Sequence, residues 1–337
     1  MKRFLLTLCA LAAGCGWGAS GTVVVASWNV ENLFDTKDDP ANEGDDGFTP
    51  RGWMRWTEER YVLKLQHLAD IIAQMRPDVL CLTEIENRRV LEDLSRTLTE
   101  RHAYELPFVM HRDSDEKRGI DVAMLAKSAP AATNWLRTAT GQREVLVCEF
   151  TFDGRPLTVL VNHWKSQLGK RGESDGIRRK EARAVREYLD HRLTAEASAA
   201  ILVLGDFNDA LASPILTEEA GLVPDERRVR EDKTGRLLYN LAGGLPEEAR
   251  VTYYYAAGKK WNTMDSISVT RGLLDNVRPS SPWRVRKGGY SVVRSPAQCS
   301  EDGTPLPFRR VRNKEVGDIF RTGYSDHFPV RVELEAR

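Results

Sequence analysis

Val23 to Trp28 and Val79 to Leu82 are short apolar runs rich in β-branched residues, with one amphipathic helix pattern between them, so the chain opens as a β-α-β unit. The helix is legible from about Thr57 to Met75. Thr57 suits its cap, Glu58 and Glu59 suit the positive end of its dipole, and Tyr61, Leu65, Leu68, Ile72 and Met75 recur at spacings of four and three. Pro77 ends it.

The alternation continues. A second helix near Arg88 to Glu100 buries Leu91, Leu94 and Leu98, and strands follow around Tyr104 to Met110 and Asp121 to Leu125. Glu144 to Phe152 and Pro156 to Asn162 are strand-like runs joined by Asp153-Gly154, a strong hairpin signal that makes the pair antiparallel. A charged helix from about Ile177 to Leu193 precedes the apolar strand Ala200 to Leu204, and Asp265 to Thr270 and Val330 to Leu334 read as late strands. Helices mixed with antiparallel strands in this way predict two sheets packed face to face with helices on the outside. No Gly/Ser/Pro linker divides the chain, and 337 residues are compatible with one large unit, so residues 22–337 are expected to form one domain. Asp35 to Trp56 and Arg271 to Thr322 carry no readable pattern. The acidic loop holding Asp35, Asp38, Asp39, Glu43, Asp45 and Asp46 lacks a calcium-loop register and is expected to be solvated.

Composition sets the outer limits. Hydrophobic residues at 41% and charged residues at 29% fit a globular protein and argue against disorder or a membrane-embedded chain. Lys plus Arg (49) balance Asp plus Glu (49), so any polyanion must be held by local basic groups rather than by a global field. Residues 1–20 read as an export signal: Lys2 and Arg3 precede the apolar run Phe4 to Ala13, which is too short to span a bilayer. Cleavage near Ala19 or Ser20 would release the chain. Ala12-Ala13-Gly14-Cys15 is similar to a lipoprotein box with Ala where Leu is usual, and it slightly favours a lipid anchor on Cys15. The expected location is extracellular, periplasmic or membrane-anchored. Cys81 and Cys148 lie in apolar runs as core residues, and with Cys299 they are too few for a disulfide framework or a zinc site.

The informative polar residues fall at strand ends, from which a sheet can aim them into one cleft. Asn29 closes the first strand, where an Asn is ordinarily a turn former. Glu84 follows Leu80-Cys81-Leu82-Thr83 and offers the hard oxygen that Mg²⁺ prefers, although a strand-terminal Glu is as often simply solvated. Asn162-His163-Trp164-Lys165 ends another strand with a His and a Lys able to bind phosphate oxygens. Gly205-Asp206-Phe207-Asn208, directly after an apolar strand, presents an Asp that can take a proton from water and an amide that can orient it. Ser325-Asp326-His327 offers a His in need of an orienting carboxylate, and Asp265 can be that partner.

Taken in order, Ser27-Trp28-Asn29, Thr83-Glu84, Arg118-Gly119-Ile120-Asp121-Val122-Ala123, Asn162-His163, Gly205-Asp206-Phe207-Asn208, Asp265 and Ser325-Asp326-His327 resemble the endonuclease/exonuclease/phosphatase superfamily, in its deoxyribonuclease I-like, bacterial extracellular nuclease-like branch. The resemblance implies a four-layer α/β sandwich of two packed mixed β-sheets and a divalent-metal phosphoesterase. By this resemblance Glu84 is the main Mg²⁺ ligand, with Mn²⁺ as a substitute, and Asn29 and Asp326 support the metal. Asp206 positions or deprotonates water, Asn208 steadies water and phosphate, His327 held by Asp265 binds phosphate, and His163 protonates the leaving oxygen.

Asn162 to Ser166, the run Arg178-Arg179-Lys180 and Tyr255 to Asp265 are also similar to the nuclease-like branch, which implies nucleic acid as substrate. Lys165, Lys170, Arg171, Lys259 and Lys260 are candidate backbone contacts, Trp164 and Trp261 candidate stacking surfaces, and Asp121 a further substrate contact. A solvated face explains any single basic residue equally well. The Trp-Cys-Asp-Arg signature of the inositol phosphatase branch is replaced here by Trp261-Asn262-Thr263-Met264-Asp265. A phospholipid phosphodiesterase or a phosphatase of the same superfamily stands as the alternative, followed by a catalytically silent surface binding module, and the chain is expected to act as a monomer.

Overall fold

In the computed structural model, which describes residues 21–40, 42–167, 171–313 and 316–337, the side chains of Val79–Ile85 alternate: Val79 and Cys81 face one apolar cluster, Leu80 and Leu82 another, and all four are buried. A strand covered on both faces is the local sign of a layered sandwich. The export signal expected over residues 1–20 with Cys15, the contact expected at Lys170, and the side chain of Arg171 lie outside the described residues.

The early strands are β1 (Thr22–Leu33), β2 (Val79–Ile85), β3 (Phe108–His111), β4 (Asp121–Ala126), β5 (Ala132–Leu136), β6 (Val145–Phe152), β7 (Arg155–His163) and β8 (Ile201–Asp206). The later ones are β9 (Leu222–Val223), β10 (Leu238–Asn240), β11 (Tyr253–Tyr255), β12 (Lys260–Asn262), β13 (Asp265–Thr270), β14 (Trp283–Val292), β15 (Arg310–Asn313), β16 (Gly317–Phe320) and β17 (Val330–Ala336). The three long helices are α1 (Glu58–Met75), α2 (Arg88–His102) and α3 (Arg171–Ala195).

A six-stranded sheet has the order β14-β17-β1-β2-β4-β3, and a seven-stranded sheet the order β5-β6-β7-β8-β13-β10-β9. Each is mixed. The β1–β2 and β7–β8 pairs are parallel, bridged by α1 and α3 respectively, and their flanking strands are antiparallel. Alternate residues of both sheets, among them Val25, Cys81, Met124, Cys148, Val159, Leu202 and Ile267, meet in a common core between the sheets. The opposite faces are covered by α1 and α2 on one side, through Leu65, Leu68, Ile72 and Leu94, and by α3 on the other, through Ala182, Val185 and Leu189. This is the four-layer sandwich expected from the sequence, with both cysteines in its centre.

Local chemistry explains the elements. Arg76 ends α1 in the left-handed conformation before Pro77, and Asn87 caps α2 by accepting a hydrogen bond from the Val90 amide at 3.1 Å. Asp153 (φ 49°) and Gly154 (φ 76°) both turn left-handed, which gives the β6–β7 hairpin the twist that its strands require. The stretch Arg271 to Thr322, unreadable in sequence, supplies the edge strand β14 and the small separate hairpin β15–β16. No helix among the described residues is long and apolar enough to cross a membrane.

Candidate active site

The core between the sheets turns polar at one end. In β1 the inward positions run Val23, Val25, Ser27, Asn29; in β7 Val159, Val161, His163; in β8 Leu202, Leu204, Asp206; and in β13 Val269, Ile267, Asp265. Strand pairing sets His163 beside Asp206 and Asp206 beside Asp265, so these three side chains stand in a row on one face. The opposing sheet brings Asn29 onto the row, its Nδ2 donating to Asp206 Oδ2 at 3.0 Å and, more weakly, to Glu84 Oε1 at 3.4 Å.

The Gly before Asp206 is required. Gly205 has φ 129°, and a Cβ there would lie 1.9 Å from the Asn162 carbonyl oxygen. Glu84 (φ 65°) and Asn208 (φ 49°) are also left-handed, a cost that surrounding hydrogen bonds must offset. Glu84 Oε2 accepts from the Asn32 amide at 2.9 Å. The Asn208 amide donates to Asp206 Oδ1 at 2.9 Å, and Asn208 Nδ2 donates to the Trp164 carbonyl at 3.1 Å.

His327 joins from the approach to β17. Ser325 Oγ donates to the Asn29 carbonyl at 2.7 Å and accepts from the His327 amide at 3.1 Å, while Trp28 Nε1 donates to the His327 carbonyl at 2.9 Å. These bonds give Trp28 and Ser325 their roles in tying the end of β1 to the approach to β17. His327 Nδ1 lies 2.7 Å from Asp265 Oδ2. Burial alone would strip its proton, but Asp265, Asp206 and Asp326 together raise it well above the usual imidazole range, so His327 is a cation.

Asp206 is pushed up to about 7 by burial and by Asp265, opposed by His327 and Asn29. It is thus poised to take a proton near neutrality. His163 behaves oppositely: burial, with Arg143, Arg118 and His327 adding, holds it far below its ordinary range. The proton-donating imidazolium expected there is therefore not favoured; His163 is a neutral group 3.8 Å from Asp206 Oδ2, with its Nδ1 buried and unpartnered.

The structure adds residues that sequence reasoning missed. Asp326 Oδ2 accepts from Arg309, which also donates to the buried Glu31, and the Phe308 amide donates to Glu31 at 2.6 Å. Only Asp326 Oδ1, 4.0 Å from His327 Nε2, is left to support a metal. Lys64, fully buried on α1, joins this network electrostatically. Its place between Tyr61 and Leu68 on the apolar face was a readable signal, whereas Arg309 lies in the patternless stretch. Tyr253 packs on His327 with ring centroids 4.7 Å apart. Arg118, part of the quoted motif, donates to Asn32 Oδ1 at 2.7 Å.

Other expectations separate from the cluster. Trp164 is 1% exposed and packs edge-on against Phe207, so it cannot stack a base. Arg178 is buried and donates to the Lys165 carbonyl at 2.9 Å, fastening the end of β7 to α3. Lys165 and Trp261 are half-buried, and Lys259 and Lys260 are exposed on the hairpin that carries Tyr253. Asp121 is not part of the row; it accepts from the Ser114 amide at 3.3 Å. Nor is the acidic loop wholly solvated, because Asp45 is 1% exposed and accepts from the Asp39 amide at 2.8 Å.

The carboxylates of Glu31, Glu84, Asp206, Asp265 and Asp326 share this mouth with the cations of Lys64, Arg309 and His327, with Arg118 and Arg143 acting on His163 beside them. Burial raises Glu31, like Asp206, to about 7. Acidic groups at this spacing can bind a divalent cation: one ligand atom from each of Asp206, Asp265 and His327 lies within 4.8 Å of the others.

A family model described as "Endonuclease/Exonuclease/phosphatase family" matches residues 24–336. Among solved structures the chain is similar to D. rerio TDP2 complexed with a single-strand DNA product, with 15% identity over 93% of this chain and 98% of that chain, TM-score 0.55. It is also similar to an endonuclease/exonuclease/phosphatase family protein from Bacteroides thetaiotaomicron, with 15% identity over 93% and 94% of the two chains, TM-score 0.54. A third is SmcL, with 18% identity over 94% and 99%, TM-score 0.53. At these identities the likeness is one of fold. No curated protein matches the chain.

Proposed function

Since the chain belongs to the endonuclease/exonuclease/phosphatase family, whose members hydrolyse phosphoester bonds, we propose that it is an exported, Mg²⁺-dependent nuclease that cuts DNA or RNA by in-line attack of water. The observation that carries this reading is the row His163, Asp206, Asp265 facing Asn29, with a cationic His327 held over it.

Asp206 takes the proton of the attacking water, while the Asn208 backbone and Asn29 fix its carboxylate. His327, oriented and kept protonated by Asp265, donates to a non-bridging phosphate oxygen as charge builds there. As the water oxygen bonds to phosphorus the P–O bond to the leaving oxygen breaks; the neutral His163 donates a hydrogen bond to that oxygen, which takes its proton from solvent. Bound to Glu84, Asn29 and Asp326, Mg²⁺ would polarise the phosphate and offset its charge. In this reading Lys165, Lys259 and Lys260 meet the phosphate backbone and Trp261 a base, supported by the exposure of Lys259 and Lys260 on the hairpin that carries Tyr253. The single-strand DNA product in the TDP2 structure supports nucleic acid as the ligand class.

A phospholipid phosphodiester is the second reading, favoured by the exposed Val316, Ile319 and Phe320 on and beside the β15–β16 hairpin. Incubating the enzyme and Mg²⁺ with single-stranded DNA, plasmid, RNA and sphingomyelin vesicles separates the two. The nuclease reading expects cleavage of a nucleic acid, and cleavage of sphingomyelin alone would replace it. Export, as a monomer released near Ala19 or anchored at Cys15, is tested by the mass of the mature N-terminus.

A further inference from the structure

β3 and β4 pair antiparallel with His111 opposite Ala123, which brings His111 close to Asp121 at the mouth of the loop joining the two strands. His111 Nε2 lies 3.9 Å from Asp121 Oδ2, and the two side chains are only 2% and 5% exposed. That separation is too long for a hydrogen bond, and Nε2 has no partner although it is buried. Asp113, on the solvent side, has Oδ1 3.9 Å from His111 Nδ1. One ligand atom from each of the three lies within 4.8 Å of the others, and a shift of about 1 Å by the carboxylates would bring them to the roughly 3.4 Å that separates tetrahedral ligands at bonds of about 2.0–2.2 Å.

We propose that His111, Asp113 and Asp121 form a second metal site, for a first-row transition dication of the zinc class, in place of the substrate contact expected of Asp121. Imidazole with carboxylates selects that class, whereas the oxygen donors around Glu84 suit Mg²⁺. Asp113 and Asp121 line an open recess of about 670 Å³ shared with Asp35, Asp38, Asp39 and Asp115, which leaves room for water ligands and a negative field that draws cations. An ion here would pin the loop 112–120, and so hold Arg118 at Asn32 beside Glu84.

The test is calorimetric titration of the chelator-stripped full chain with Zn²⁺ in excess Mg²⁺, with visible absorption of a Co²⁺-loaded sample as a second readout. Wild type should bind one Zn²⁺ per chain by this site. His111→Gln and Asp121→Asn should each weaken it at least about tenfold, the loss that even outer-sphere changes bring, while Glu84→Gln leaves it intact. Asp113→Asn, on an exposed loop, tests the site without endangering the fold and should weaken binding in the same direction. Absence of Zn²⁺ binding in wild type, or equal binding by wild type, His111→Gln and Asp113→Asn, overturns the proposal.

Discussion

His327 Nδ1 sits 2.7 Å from Oδ2 of Asp265, a carboxylate with no solvent exposure, and this contact joins the end of one sheet to the approach to the other. Asp265 therefore fixes both the orientation and the protonation of the imidazole. Asp265→Asn keeps the shape and removes the charge, so kcat is expected to fall by about 10²–10⁴. The sign on pH follows: with less negative charge nearby His327 releases its proton at lower pH, so the alkaline limb of the rate profile shifts down. A kcat–pH profile of the variant checks both effects.

His163 and His327 both face Asp206, at 3.8 Å for His163 and through Asp265 for His327. If both act on one transition state, His163→Ala and His327→Ala should each cost roughly 10²–10³ in kcat, with smaller effects on KM. The double variant should lose less than the product of the two. Thermal unfolding should stay near wild type. Ordinary turnover by His163→Ala on every phosphodiester tried makes His163 a structural residue.

The sequence made much of this legible because strand ends in a layered sheet are fixed by apolar runs, and Asn29, Glu84, His163, Asp206 and Asp265 each follow or begin one. Continuous apolar runs hide which face a residue takes, however, so the row of Asp206 with its neighbours appears only once register is known. Arg309 and Tyr253 were invisible because Arg309 lies in the loop before β15 and Tyr253 in the three-residue β11, both held by long-range contacts rather than by their own periodicity. The protonation states were equally hidden, since they depend on burial and on charges far apart in sequence.

Gly205→Ala tests the strand-to-turn geometry. The added Cβ meets the Asn162 carbonyl at 1.9 Å with φ at 129°, so a loss of about 3 kcal/mol or more is expected in denaturant unfolding. Gly154→Ala is the comparison, because its φ of 76° is also left-handed but nothing lies within 4 Å. It should cost only about 1 kcal/mol.

Glu86 gives a pH signature of stability. Burial raises its carboxyl from 4.5 to about 8, with Asp35, Asp45 and Asp39 adding repulsion. Between those values the folded state keeps a proton that the unfolded chain has lost, so stability drains as pH rises. Glu86→Gln still accepts from the Asp35 amide, now 2.7 Å away, and should gain about 1–3 kcal/mol over wild type at pH 8 and nothing at pH 4. Thermal melts at the two pH values decide it.

The most direct test of the account is hydrolysis of a generic aryl phosphodiester by wild type, Glu84→Gln and Asp206→Asn, each with Mg²⁺ and with EDTA. Wild type should turn over only with the metal. Glu84→Gln should lose rate and metal response together, and Asp206→Asn should be slowed by about 10² or more, the contribution of a positioned proton acceptor. Turnover by wild type in EDTA equal to that in Mg²⁺, or an Asp206→Asn variant that keeps its rate, contradicts it.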